Sequence, residues 1–103
     1  LSYTGSRFAM HGLTSALALD LAPKIRINSV APGHVLTSDI LDAESLQRVQ
    51  SESPLGFGPS ARDVAEAVAF LAKSPAITGQ TIFVDSGERF RQMKKDPALD
   101  TGE

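Results

Sequence analysis

Two groups of residues in this chain have types and spacings suited to moving protons beside a flat ligand. Tyr3 and Arg7 stand four apart, which on a helix sets a phenol and a cation on one face, one turn from each other. A positive charge beside a phenol favours the phenolate and draws its pKa down from about 10, and such a tyrosine gives or takes a proton at working pH. The second group is Ala31-Pro32-Gly33-His34-Val35-Leu36-Thr37, in which Pro32 follows Arg7 by 25 residues and Gly33 lets backbone approach a flat ring closely. Singly, each group is ordinary, since Tyr and Arg meet at this spacing by chance and Pro-Gly after a strand is a common turn. Their order along the chain gives them weight.

The elements that must position them are written in the periodicity. From about Thr4 to Leu21, Met10, Leu13, Leu17 and Leu21 recur at helical spacing, while Ala9, Gly12 and Ala16 form a second stripe of small side chains. The predicted helix can therefore pack on two sides, and Pro23 stops it. Ile25-Arg26-Ile27-Asn28-Ser29-Val30 alternates and is rich in β-branched residues, which predicts a strand running into Pro32-Gly33. Residues 37–53 have helical tendency around Ile40, Leu41, Leu46 and Val49, and with the Pro- and Gly-containing stretch to Pro59 they read as a mobile lid. Ser60-Ala61-Arg62-Asp63 is a capping signal for a helix to about Lys73, with Val64, Ala67, Val68 and Leu71 facing a core. Thr78-Gly79 then turns the chain into a second strand, Gln80 to Asp85. Half of residues 88–103 are charged, which predicts a frayed tail.

The chain has 103 residues, 42% of them hydrophobic, and a formal net charge of −2. Length alone permits one small domain. The pattern argues otherwise, because two parallel strands joined by helices cannot cover their own faces and edges. With Leu1 first and a helix beginning almost at once, the expectation is the C-terminal part of a larger α/β fold. The acidic balance gives nucleic acid and anionic membranes no electrostatic foothold. There are no cysteines and only His11 and His34 as imidazoles, so no metal site is expected. No apolar run reaches membrane-spanning length, so the default location is the cytoplasm.

The runs Tyr3-Thr4-Gly5-Ser6-Arg7-Phe8-Ala9-Met10, Leu17-Ala18-Leu19-Asp20-Leu21-Ala22-Pro23, Ile25 through Gly33, Ile77-Thr78-Gly79-Gln80 and Val84-Asp85-Ser86-Gly87 resemble, in order and spacing, the short-chain dehydrogenase/reductase family. The match extends nearly to Gly87. It implies a doubly wound, parallel-sheet Rossmann fold, with residues 1–87 as the C-terminal half of that domain and 88–103 as a charged tail. It also implies hydride transfer between NADP or NAD and a carbonyl, alcohol or imine of a small-molecule substrate. In this reading Tyr3 is the general acid/base, with Arg7 beside it and the cofactor. Pro32 and Gly33 shape the loop at the nicotinamide, Val35 offers its backbone to the carboxamide, and Thr37 binds carboxamide or pyrophosphate. The segment from Ser74 to Gln80 and the exit Gly87-Glu88-Arg89-Phe90 look similar to pteridine reductase-like members. The enoyl reductases of fatty acid synthesis resemble Tyr-x6-Lys, and Met10 stands at that position here.

Two departures bear on activity. The family has lysine where this chain has Arg7, whose planar guanidinium keeps the charge but is larger and does not give up its proton. No Gly-rich phosphate loop is present, nor the residue that selects between the cofactors. Two alternatives to an oxidoreductase therefore stand: a catalytically impaired piece of this fold, and a nucleotide- or partner-binding protein sharing it. His34 reads as a solvent-facing loop histidine and His11 as a packing or subunit contact. The small-residue stripe of the first helix allows close helix approach, and the family resemblance implies a homo-oligomer formed through it.

Overall fold

Four residues from each of two distant segments pair side by side and organise the chain. In a computed structural model that describes residues 3–35 and 42–95, side chains 3, 4, 7 and 92–95 excepted, the elements are α1 (Tyr3–Leu21), β1 (Ser29–Pro32), α2 (Ala43–Ser51), α3 (Ala61–Lys73), β2 (Thr81–Val84) and α4 (Glu88–Lys95). β1 and β2 are parallel, with Ser29 opposite Thr81 and Pro32 opposite Val84. A parallel pair needs a long crossover, and α2 and α3 lie within it. The ladder bonds Ser29 N–H to Gln80 O at 2.8 Å and Gly33 N–H to Val84 O at 3.0 Å show which amides of β1 point at β2. By the alternation of the strand, the position of Pro32 points away, so its missing N–H costs no bond to β2.

The pleat sends Ser29, Ala31, Thr81 and Phe83 to one face and Val30, Ile82 and Val84 to the other. α1 covers the first face: Thr14 Oγ1 lies 2.6 Å from Ser29 Oγ, and His11 Nδ1 lies 2.9 Å from Thr81 Oγ1. α3 covers the second face, where Val68 and Leu71 meet Val30. Helices on both faces of a parallel sheet are the local signature of a doubly wound α/β fold.

Several expectations shift. The first strand begins at Ser29 and takes in Pro32, because residues 25–28 run beside the turn before β2 instead of beside a strand. Side chains make the connection there: Ile27 N–H donates to Thr78 Oγ1 at 3.1 Å, Asn28 Nδ2 to Ile77 O at 3.0 Å, and Gln80 N–H to Asn28 Oδ1 at 3.0 Å. Arg26 clamps the end of α3, donating through Nη1 to the carbonyls of Leu71 and Ser74, both at 2.9 Å, and through Nη2 to that of Ala72 at 3.0 Å. Leu71 and Ala72 stand in the last turn of α3 and Ser74 is its C-cap, where carbonyls lose the regular helical bonding. On α1, the leucine stripe is exposed, whereas Thr14 and Ala18 are buried. Small and hydroxylated side chains let this helix close onto the sheet, with Ala18 against the Gly79 turn.

Where composition predicts a frayed tail, residues 88–95 form α4. Its start is fixed by Asp85, which is 2% exposed. Asp85 Oδ2 accepts from Arg89 N–H, and Oδ1 accepts from Gly87 N–H and Arg89 Nη1, each at 3.0 Å. Gly87, at φ +84°, makes the turn into the helix. The other helix starts follow local rules. Ser60 and Asp63 form the full capping box of α3 as expected, and Asp42 caps α2. The lid reading falls partly on residues 36–41, outside the described residues. The rest of it is tied down, with Leu55 N–H donating to Ser86 O at 3.2 Å and Arg91 Nη1 to Glu52 O.

Among the described residues only Ala18 and Leu71 are buried hydrophobics, whereas Phe8, Leu13, Leu19 and Phe70 are each more than half exposed. So small a core cannot offset the entropy of ordering the backbone. The isolated chain is expected to melt broadly by circular dichroism and to bind a hydrophobic dye; a steep two-state melt of a monomer would contradict this.

The caps carry a pH signature. Backbone N–H donation from Ser45 holds Asp42 below the ordinary carboxyl value of 3.8, and donation from Ser60 does the same for Asp63. A lowered native pKa contributes stability above the unfolded value that is lost as pH falls through the native one. Acidification below about pH 4 is expected to fray the first turn of α3, read from NMR carbonyl shifts at residues 61–64. Asp63→Asn should abolish that dependence, and a first turn unchanged at about pH 2 would refute it.

Candidate active site

α1 runs antiparallel to the strands. Ala18 lies by the turn at Gly79, Thr14 by Ser29 at the start of β1, and Ser6 and Met10 beside Ala31 and Pro32 near its end. Tyr3 is eleven residues before Thr14, about 16 Å along a helix, while β1 advances about 10 Å from Ser29 to Pro32. The first turn of α1 therefore reaches past the end of β1, level with the loop that begins at Gly33. Ligands in open α/β sheets bind in this place, outside the carboxyl ends of the strands.

Tyr3 and Arg7 lie on the same stripe of α1 as Ser6 and Met10, at helical offsets of three, four and seven. Ser6 and Met10, with Ala31, Pro32 and Phe83, line an apolar open groove of about 350 Å³ along β1. The structure thus brings Tyr3 and Arg7, by backbone position, to the groove that ends at Pro32. Pro32 is exposed, and Gly33 and Val35 are half-buried in the loop after it. Thr37 lies outside the described residues.

Gly33 has a structural reason beside the one expected from the sequence. A Cβ built there would stand 3.0 Å from both Cα and Cβ of Asp85, so the missing side chain is used by the close approach of the segment after β2. That approach draws in charge. The Arg89 guanidinium that binds Asp85 also lies over the rings of Phe83 and Phe90, at 4.3 and 4.2 Å from their centroids.

Sequence reasoning missed the contact made by His34. Instead of facing solvent alone, its Nδ1 lies 2.7 Å from Glu88 Oε1, and its carbonyl accepts from Gln50 Nε2 at 2.7 Å. The Glu88 side chain is 8% exposed and that of His34 40%. The partners are 54 residues apart and follow no periodicity, so no local pattern announces them. His11, read as a packing contact, does pack on the sheet through Thr81. Among the described residues no cluster of His, Asp or Glu is arranged to hold a metal ion. No helix among them is long and apolar enough to cross a membrane.

Known proteins resemble this chain in sequence and fold. A family model described as Enoyl-(Acyl carrier protein) reductase matches residues 2–88. Glucose 1-dehydrogenase of Gluconobacter oxydans is 40% identical over 94 residues, which are 84% of this chain and 35% of that protein. Dihydromonapterin reductase of Citrobacter koseri is 31% identical over 91 residues, 88% of this chain and 38% of the relative. Among solved structures, FolM Alternative dihydrofolate reductase 1 from Brucella suis in complex with NADP is 36% identical with a TM-score of 0.77, over 85% of this chain and 36% of that one. The chain therefore spans roughly a third of the length of the relatives it matches, within 35% to 38%. The family model carries the name of one activity, that of a branch the Met10 spacing argues against, and these relatives carry others. With its strand order, its two-sided helix packing and a family match that runs unbroken from the Tyr3 turn to the start of α4, the chain belongs to the short-chain dehydrogenase/reductase family of oxidoreductases.

Proposed function

We propose that this chain supplies the substrate-side half of an NADP(H)-dependent short-chain reductase acting on a C=N or C=O bond, with a dihydropterin as the leading substrate class. One observation carries the reading: Tyr3 and Arg7 share the face of α1 that borders the apolar groove leading to Pro32 and Gly33. Support for the cofactor and substrate class comes from the relatives, one solved with NADP and two named as reductases of dihydromonapterin and dihydrofolate.

The residues present fit the nicotinamide end of such a cofactor, because the groove is apolar and opens at the carboxyl ends of the strands. They do not fit its pyrophosphate, since the described residues include no Gly-rich loop between a strand and a helix. When bound, the cofactor supplies or accepts the hydride. Tyr3 holds the proton on its phenolic oxygen and delivers it to the substrate nitrogen or oxygen, or removes it in the reverse direction. Arg7, one turn away, keeps a positive charge beside that phenol and so favours the phenolate left behind. Pro32 and Gly33 set the path of the loop, the backbone of Val35 meets the carboxamide, and Thr37 meets carboxamide or pyrophosphate. Chain 1–87 belongs to the catalytic domain in this reading, with residues 88–103 appended. The protein is read as a cytoplasmic homo-oligomer joined through α1, supported by the exposed Ala9, Gly12 and Ala16 stripe beside Leu13 and Leu17.

The test uses the polypeptide encoded with this chain and any sequence upstream of it. Tyr3→Phe should lower NADPH-dependent turnover of 7,8-dihydrofolate by about two to four orders of magnitude while NADPH affinity stays within about twofold. Unchanged turnover sinks the assignment of Tyr3. Arg7→Lys should raise turnover; no gain in any reductase assay, with ligand binding retained, favours a binding protein that shares the fold.

A further inference from the structure

The hydrogen-bonded pair of His34 and Glu88 is built like an orienting dyad. Glu88 belongs to the first turn of α4, and its carboxylate is inside, whereas the imidazole bridges from it toward solvent. A carboxylate only accepts, so the neutral ring places its proton on Nδ1 and leaves Nε2 as an acceptor. The ring is held at Nδ1 by Glu88, and the residue's backbone carbonyl accepts from Gln50 Nε2. Gln50 is itself seated on Gly58, where a Cβ would collide with its side chain. The second carboxylate oxygen, Glu88 Oε2, is buried without a hydrogen-bond partner. A buried carboxylate held this way is costly, and its one side-chain bond among the described residues goes to His34. The dyad follows Gly33 directly, at the carboxyl end of β1, and α4 touches α1, the helix that carries Tyr3 and Arg7.

Resting on the reductase reading above, we propose that His34 is a specificity-determining residue whose Nε2 accepts a hydrogen bond from an N–H or O–H donor of the substrate, and that Glu88 positions it. α4 thereby takes part in substrate recognition. The substrate class this selects presents a donor beside the reducible bond, as the ring N–H and amino groups of a dihydropterin do, and disfavours a plain ketone.

Two isosteres separate recognition from simple tethering. His34→Asn keeps a nitrogen in the place of Nδ1 for Glu88 and removes the outer acceptor, whereas His34→Gln keeps a polar atom near Nε2 and gives up the Glu88 bond. Calorimetric binding of 7,8-dihydrofolate to the NADP-loaded protein needs no turnover, so it reads recognition even if the reductase reading fails in a NADPH oxidation assay. His34→Asn is expected to weaken dihydrofolate binding about tenfold, with the melting temperature and NADPH affinity unchanged, and His34→Gln to restore most of it despite a lower melting temperature. Glu88→Leu should weaken binding about as much, with little further loss when combined with His34→Asn. Wild-type affinity in His34→Asn overturns the proposal, as does an affinity that follows the melting temperature across the variants, or a wild-type protein that does not bind dihydrofolate.

Discussion

The parallel pairing of Ser29–Pro32 with Thr81–Val84 is the constraint from which the rest follows. Parallel strands cannot be joined by a tight turn, so the chain between them must cross over a face of the sheet, and α3 does so. The same geometry sets both carboxyl ends on one edge. It gathers there the loop from Gly33 to Val35 and the turn from Asp85 to Glu88, segments with no local reason to meet. The ladder itself is short, and side chains extend it at the amino end. Asn28 bonds both Ile77 and Gln80, and Arg26 gathers the carbonyls at the end of α3. These bonds do for residues 25–28 what backbone pairing does for the strand.

At the carboxyl end the corresponding joint is Asp85. A buried carboxylate is tolerable only when paired and hydrogen-bonded, and this one has two backbone amides and the Arg89 guanidinium. Its position also explains Gly33, because the segment after β2 passes so close that a side chain would have no room. The carboxylate binds the amide of the second residue of α4 and thereby starts a helix in a segment whose composition alone is that of a solvated tail. The folded end of the chain is thus a consequence of one acidic residue at the last strand.

Legibility in the sequence divides along the range of the interactions. The caps at Ser60 and Asp63, the stop at Pro23 and the turn at Gly79 are local, and they stand where local rules put them. The extent of β1 was less readable, since it depends on where β2 lies, and Pro32 joins the strand only because its missing amide points away from that partner. The sheet-facing side of α1 was not readable for a related reason: hydrophobicity marks Leu13 and Leu17, but close packing and the hydroxyl pair with Ser29 select Thr14 and Ala18. In the candidate site, Tyr3, Arg7, Pro32 and Gly33 could be named from spacing and family resemblance. His34 with Glu88 could not, because a contact between loop and helix 54 residues apart leaves no period to detect.

The functional groups and the apolar surface are distributed in opposite ways, and this bears on how the chain works. The candidates for chemistry among the described residues, from the first turns of α1 by backbone position to the loop after β1, sit at one edge of the sheet. The uncovered hydrophobic side chains, Phe8, Leu13 and Leu19 on α1 and Phe70 on α3, lie on the outer faces of the helices. Polypeptide that packs on those faces would bury them and leave that edge open. Order at the site is then inherited from those faces. The first turns of α1, at the end of a strand only four residues long, keep their place only while α1 is pressed against the sheet. Replacement of lysine by Arg7 sharpens that dependence, because a planar guanidinium has to be aimed, whereas an ammonium acts nearly as a point charge.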